Sequence, residues 1–190
     1  MHKVKVQTSV LTGKKNLELL SEIKKIPVHC GCVDLDSNKD IFLDQKFTIC
    51  KDTGIIQILE FPPDDLLYMT QHNDAIGPTW ESLFLKILDV VNKACIRKEK
   101  LSILEIGAGS CRLAKMILNT QQNIDKYVVL EPNISSYAIN IDDKRFSVYE
   151  SYFDKNHKDK YDIIISSHVL EHVTNQSQFL KCTFECMNND

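Results

Sequence analysis

The segment Leu101-Ser-Ile-Leu-Glu-Ile-Gly-Ala-Gly-Ser110 constrains the fold of this chain more than any other stretch. Its apolar residues Leu101, Ile103, Leu104 and Ile106 mark a buried strand, which Gly107 and Gly109 end just before an amphipathic helix from Arg112 to Asn119. The same alternation continues downstream. Tyr127 to Leu130, Phe146 to Tyr149 and Tyr161 to Ser166 read as further strands, and Gln176 to Met187 as a helix. Strands alternating with helices imply an α/β fold with a mostly parallel sheet covered on both faces.

Glycine at a strand-to-helix turn presents no Cβ and lets backbone approach a ligand closely, although the same pair also serves ordinary tight turns. Two acids bear on that choice. Glu105 stands just before the turn in an otherwise apolar strand end, and suits a ligand carrying an ammonium group better than one carrying a pyrophosphate. The next strand ends in Val128-Val-Leu-Glu131, where a carboxylate can accept hydrogen bonds from both hydroxyls of a ribose. The spacing from Gly107 to Glu131 is close to the roughly 20 residues expected of such a partner. The plain alternative is that both acids cap strand ends in solvent. A nicotinamide-dependent dehydrogenase is the competing enzyme class, but Arg112 stands where its third glycine belongs.

The run Ile103-Leu-Glu-Ile-Gly-Ala-Gly-Ser-Cys111 resembles the first motif of class I S-adenosylmethionine-dependent methyltransferases. Val129-Leu-Glu-Pro132 resembles their second motif, and Tyr161-Asp-Ile-Ile-Ile-Ser-Ser-His-Val-Leu-Glu-His172 their fourth-strand motif. The resemblance implies a Rossmann-like fold and S-adenosylmethionine as cofactor. It further implies Glu105 and the backbone of Gly107, Ala108 and Gly109 at the methionine end, and Glu131 with Pro132 at the ribose. Ser151 and Tyr152 would lie near adenine, with Ser166 to His168 lining the floor between cofactor and substrate. Cys111 departs from the motif, where a third glycine is common; it begins the helix, so tolerance is expected.

The front of the chain has a different texture. Val4-Lys-Val6 alternates as a strand, Thr12-Gly-Lys-Lys15 breaks it, and Leu17 to Ile26 is a short amphipathic stretch before Pro27. Phe47 to Cys50 and Ile55 to Leu59 flank Lys51-Asp-Thr-Gly54, which reads as a hairpin turn. Residues 1–63 are therefore expected to form a small β-rich module, 64–100 a helical connector, and 101–190 the Rossmann-like domain. The apolar set Leu83, Phe84, Ile87, Leu88, Val91 and Ala94 supplies the connector's helix.

The first 80 residues resemble the front of a family of sugar-type C-methyltransferases, in which a small zinc-binding module precedes the Rossmann-like domain. Relatives carry two Cys-x-x-Cys-Gly turns; here they read Ser9-Val-Leu-Thr12-Gly13 and Cys50-Lys-Asp-Thr53-Gly54. Serine and threonine are poor zinc ligands, so the module is expected to keep its turns without the metal. A rival cluster of His29, Cys30, Cys32 and Cys50 has spacing unusual for structural zinc. The resemblance implies a nucleotide-linked sugar as the small-molecule substrate.

Composition narrows the partners. A hydrophobic fraction of 43% and a charged fraction of 26% suit a chain that buries a core, and a net charge of −3 argues against nucleic acid. No apolar run reaches the roughly 20 residues needed to cross a bilayer, and no secretory signal follows Met1. Seven irregularly spaced cysteines point to reduced thiols and a cytoplasmic setting rather than a disulfide framework.

Methyl transfer needs a positioned acceptor and, for a hydroxyl or carbon acid, a base. His168, Glu171 and His172 follow the fourth strand and would share one face if the chain is helical there. The motif Val-Leu-Glu-His-Val also occurs where it only packs and orients. The connector offers Tyr68 and His72, with Asn73 and Asp74; in relatives this linker runs over the active site, while the plain reading is a solvated linker. Tyr68, His72, Glu171 and His172 are the catalytic candidates.

Seven strands complete a class I fold, and four are legible between 101 and 166. A fragment of a longer protein, completion by a second copy, and a reduced relative that binds without turnover all fit that count. Two function classes follow: a methyltransferase acting on a small molecule, and a non-catalytic module that holds cofactor or a partner.

Overall fold

The computed structural model describes residues 4–28, 40–62, 77–96, 98–136 and 138–188. The chain divides into two compact units, Met1–His72 and Asn73–Asp190, so the helix expected as a connector belongs to the second.

The first unit is β-rich. Strand β1 (Val4–Lys5) pairs antiparallel with β5 (Glu60–Phe61), and β2 (Leu17–Pro27), β3 (Phe42–Cys50) and β4 (Ile56–Ile58) form an antiparallel sheet in that order. The expected hairpin is present: Gly54 takes φ +73, and its N–H donates to the Cys50 carbonyl at 2.8 Å. The amphipathic stretch before Pro27 belongs to a single irregular strand. Its register against β3 slips twice, between Leu19 and Ser21 and between Ile23 and Ile26, with Lys25 at φ +54. Such bulges rotate side chains between faces, so the residue pattern carries no clean period of two.

In the second unit, four strands form a wholly parallel sheet ordered β8-β7-β6-β9. They are β6 (Leu101–Ile106), β7 (Ile124–Leu130), β8 (Phe146–Tyr149) and β9 (Ile163–Ser166). Helix α1 (Pro78–Cys95) precedes β6, α2 (Arg112–Thr120) joins β6 to β7, and α3 (Gln176–Glu185) follows β9. The mixed α/β class read from the sequence is the observed one.

Alternation along the strands explains why both faces are covered. Ile103, Tyr127, Val129 and Ile165 pack with Val91 and Cys95 of α1 and with Leu113, Ala114, Ile117 and Leu118 of α2. Leu104, Ile106, Val128 and Leu130 face the other way, against Tyr161 and Phe179 of α3. Residues two apart on a strand share a face, so nearly continuous apolar runs are what a doubly covered sheet demands.

The fourth strand starts two residues later than its sequence suggests, because Asp162 is used sideways. Its Oδ2 accepts the Ser102 N–H and hydroxyl, each at 2.8 Å, and Oδ1 accepts Lys98 Nζ at 3.0 Å and Asn188 Nδ2 at 2.8 Å. Burial opposes the Asp162 charge, but the bonds from Ser102, Asn188 and Lys98 outweigh it and hold the carboxyl well below its usual range. After α3 the chain pairs again: Met187 forms a parallel bridge to Tyr161. The five described cysteines, Cys50, Cys95, Cys111, Cys182 and Cys186, are buried free thiols. Among the described residues no helix is long and apolar enough to cross a membrane.

Candidate ligand site at the strand ends

Parallel register brings the carboxyl ends of the sheet into one row. Ile106 lies beside both Leu130 and Ser166, and Leu130 lies beside Tyr149. Ligands of open α/β sheets bind outside this edge, and the turn after β6 occupies its middle.

Three alternate residues of that turn have left-handed backbone. Gly107, Gly109 and Cys111 have φ +70, +53 and +57. The Gly107 N–H donates to the Leu130 carbonyl at 2.9 Å, tying the turn to the neighbouring strand. No side chain fits on Gly107: a Cβ there would stand 2.4 Å from Val169 Cγ2. Val169 thus brings the loop after β9 against the glycine turn. Cys111 does begin the helix, as expected, but in glycine's conformation, at a cost of roughly 1 kcal/mol. Its thiol is fully buried, and burial pushes it up to about 12, which leaves it inert.

Both acids singled out in the sequence are buried here, Glu105 at 4% and Glu131 at 8% exposure, and neither caps a strand end in solvent. Glu131 follows β7 and organises its surroundings: Oε2 accepts the Gly109 N–H and Oε1 the Asn133 N–H, both at 2.9 Å. Each carboxylate oxygen has two lone pairs, so one on each remains for a hydroxyl. Pro132 is half-buried in the turn that follows.

Glu105 sits deeper. Its Oε2 accepts the hydroxyl of Tyr127 at 2.7 Å. Burial pushes the Glu105 carboxyl up to about 7, against the Tyr127 hydrogen bond and with help from the Glu131 charge. Burial and the adjacent Glu105 in turn raise the Tyr127 phenol well above its usual range. Among the described residues, no cation lies within ion-pair distance of either acid. Arg112, which stands where a dinucleotide motif would have glycine, instead donates to Glu81 at 3.1 Å and lies over the Phe84 ring.

Ala108 packs against the core below the turn. Ser166 ends β9, and His168, two residues on, adopts φ +56 with its ring 4.7 Å from that of Trp80. His168 Nδ1 is 3.0 Å from the Ser167 hydroxyl. Glu171 and His172 are exposed in a single 3-10 turn, Leu170–His172. A common helical face for His168, Glu171 and His172 is therefore not formed, since a left-handed His168 breaks the helix before it starts. Tyr152 is exposed beyond β8 and Ser151 half-buried. Tyr68, His72, Asn73 and Asp74 lie outside the described residues.

In the first unit the two glycine turns meet. Ser9 is buried, the Gly13 N–H donates to its carbonyl, and the hydroxyls of Ser9 and Thr53 hydrogen-bond the Cys50 thiol, drawing it down to about 7 despite burial. Cys50 Sγ also reaches Asn16 Oδ1 at 3.4 Å. Of the rival metal cluster, His29, Cys30 and Cys32 lie outside the described residues. No group of three potential metal ligands is formed among the described ones.

Sequence reasoning missed Tyr127 and Trp80. A tyrosine inside an otherwise apolar buried strand was the available signal, since a buried phenol needs a partner for its hydroxyl.

Residues 79–190 match a family described as a methyltransferase domain. No curated protein sequence matches the chain. Among solved structures, coclaurine N-methyltransferase bound to N-methylheliamine and S-adenosylhomocysteine is 16% identical, with 63% of this chain and 35% of that chain covered and a TM-score of 0.45. The plantazolicin methyltransferase in complex with S-adenosylhomocysteine is 16% identical (58% and 46% covered, TM-score 0.44). Spermidine synthase from Thermotoga maritima is 15% identical (77% and 51% covered, TM-score 0.47). The chain thus spans about half or less of the length of these structures.

Proposed function

The chain belongs to the methyltransferase-domain family, and from that premise we propose that it binds S-adenosylmethionine around Glu105, Gly107–Gly109 and Glu131 and methylates a small molecule. One observation carries the reading: two buried carboxylates without a cationic partner among the described residues flank a left-handed glycine turn. Burying unpaired acids is costly unless a ligand or a proton compensates them. A nucleoside with an ammonium-bearing tail supplies both kinds of compensation, hydroxyls for Glu131 and a cation for Glu105. The donor set therefore fits this cofactor.

When bound, S-adenosylmethionine supplies an electrophilic methyl group on sulfonium. The chain's own residues do the rest. Glu131, with Pro132 shaping the turn after it, holds the ribose hydroxyls, and the Gly107-Ala108-Gly109 backbone lies along the methionine end. Tyr152 borders the adenine, and Ser166 with His168 lines the floor toward the acceptor. Glu171, His172, Tyr68 and His72 are the proposed candidates to take a proton from the acceptor. The two glycine turns of the first unit support the sugar C-methyltransferase likeness. A nucleotide-linked sugar is accordingly the proposed acceptor, and the setting is cytoplasmic.

Calorimetry with S-adenosylmethionine and S-adenosylhomocysteine tests the reading. Wild type should bind both. Glu131→Ala should lose at least about tenfold in affinity, as expected when charged hydrogen bonds are removed. A folded wild-type protein that binds neither ligand overturns the proposal, and binding without methylation of any nucleotide sugar overturns only the acceptor.

A further inference from the structure

Tyr127 is fully buried, and it spends its hydroxyl on Glu105 at 2.7 Å, the usual length of a hydroxyl-to-oxygen hydrogen bond. The contact is built by sheet register. Ile103 pairs with Tyr127 and Glu105 with Val129, so Glu105 and Tyr127 are diagonal neighbours on one face. Among the described residues, every ionisable group turned toward Glu105 is an acid or a neutral donor: Tyr127 from β7, Cys111 from the turn before α2, and Glu131 just after β7. A carboxyl in such surroundings is satisfied by keeping its proton or by meeting a cation. The phenol can donate to it in either state.

Resting on the cofactor reading above, we propose that Tyr127 is a positioning residue and that the Tyr127–Glu105 pair is a latch for the ammonium end of the ligand. The phenol fixes the carboxyl, and the carboxyl exchanges its proton for the ligand's ammonium. The step balances simply: a neutral Glu105 acid and an alkylammonium become a carboxylate–ammonium pair plus one proton released to solvent. No redox partner is involved. Burial places Glu105 near neutrality, so a substantial share of the ligand-free protein carries that proton at pH 6.5.

The test compares S-adenosylhomocysteine with 5′-methylthioadenosine, which keeps the nucleoside and lacks the ammonium. Titration calorimetry at pH 6.5 in two buffers of different protonation heat counts released protons. Wild type should release a proton fraction with S-adenosylhomocysteine and none with methylthioadenosine. Tyr127→Phe should weaken S-adenosylhomocysteine about tenfold while leaving methylthioadenosine within about twofold, and Glu105→Gln should abolish the release. A merely structural role for Tyr127 would weaken both ligands alike. That result, or no weakening of either, overturns the latch, as does wild-type binding of S-adenosylhomocysteine without proton release. The wild-type proton count decides alone if Tyr127→Phe does not fold. Wild type that binds neither ligand overturns the cofactor reading itself and the latch with it, a result distinct from binding without proton release.

Discussion

Replacing Gly107 by alanine sets two costs against the second unit at once. The backbone there is at φ +70, which an L-residue adopts at roughly 1 kcal/mol. The new Cβ would stand 2.4 Å from Val169 Cγ2, closer than any van der Waals contact, with Val169 Cβ and Cγ1 at 3.7 and 3.9 Å. Forcing a methyl into a packed site of this kind costs about 1–3 kcal/mol. Gly107→Ala should therefore lose about 3 kcal/mol, near 10 °C in melting temperature for a unit of this size. The two costs separate in a double-mutant cycle. Val169→Ala alone should cost about 1 kcal/mol, because Val169 is half-buried. In the Gly107→Ala background it should remove the clash and leave the backbone strain, giving a favourable coupling of about 1–2 kcal/mol. Urea unfolding of the four proteins at pH 7 measures this. Stability within 0.5 kcal/mol of wild type for Gly107→Ala, or additive behaviour of the pair, would refute the contact between the β9 loop and the glycine turn.

Other expectations rest on Glu105 and Asp162. Glu105 is raised from its usual 4.5 to about 7, so the folded state keeps a proton that the unfolded chain releases. Stability should fall as pH rises through that window, by about 3 kcal/mol in total. Glu105→Gln should remove this slope, becoming the more stable protein at pH 8; a wild-type-minus-variant difference constant from pH 4.5 to 8 would contradict it. Asp162 shifts the other way, so its contribution is present above the usual carboxylate range and is lost as pH falls below about 4. Asp162→Asn should cost about 2 kcal/mol at pH 7 in chemical denaturation, with the gap closing on acidification. A gap unchanged at pH 3 would count against the Ser102–Lys98–Asn188 network.

By itself the sequence determined the local elements of the second unit and the chemical type of its site. Runs such as Leu101 to Ile106 and Tyr127 to Leu130 read as buried strands, as they are, and glycine at 107 and 109 marked a strand-to-helix turn open to close backbone approach. Those signals are local, set by side-chain period and by the allowed backbone of single residues. Tertiary structure decided everything that depends on neighbours distant in the chain. Asp162 was taken from its strand by Ser102, His168 turned left-handed beside Trp80, and the stretch from Leu17 was held extended by β3. Above all, the diagonal register of two parallel strands joined Tyr127 to Glu105. That contact turns an acid expected to wait for an ammonium into one that already has a partner, and no spacing along a single strand encodes it.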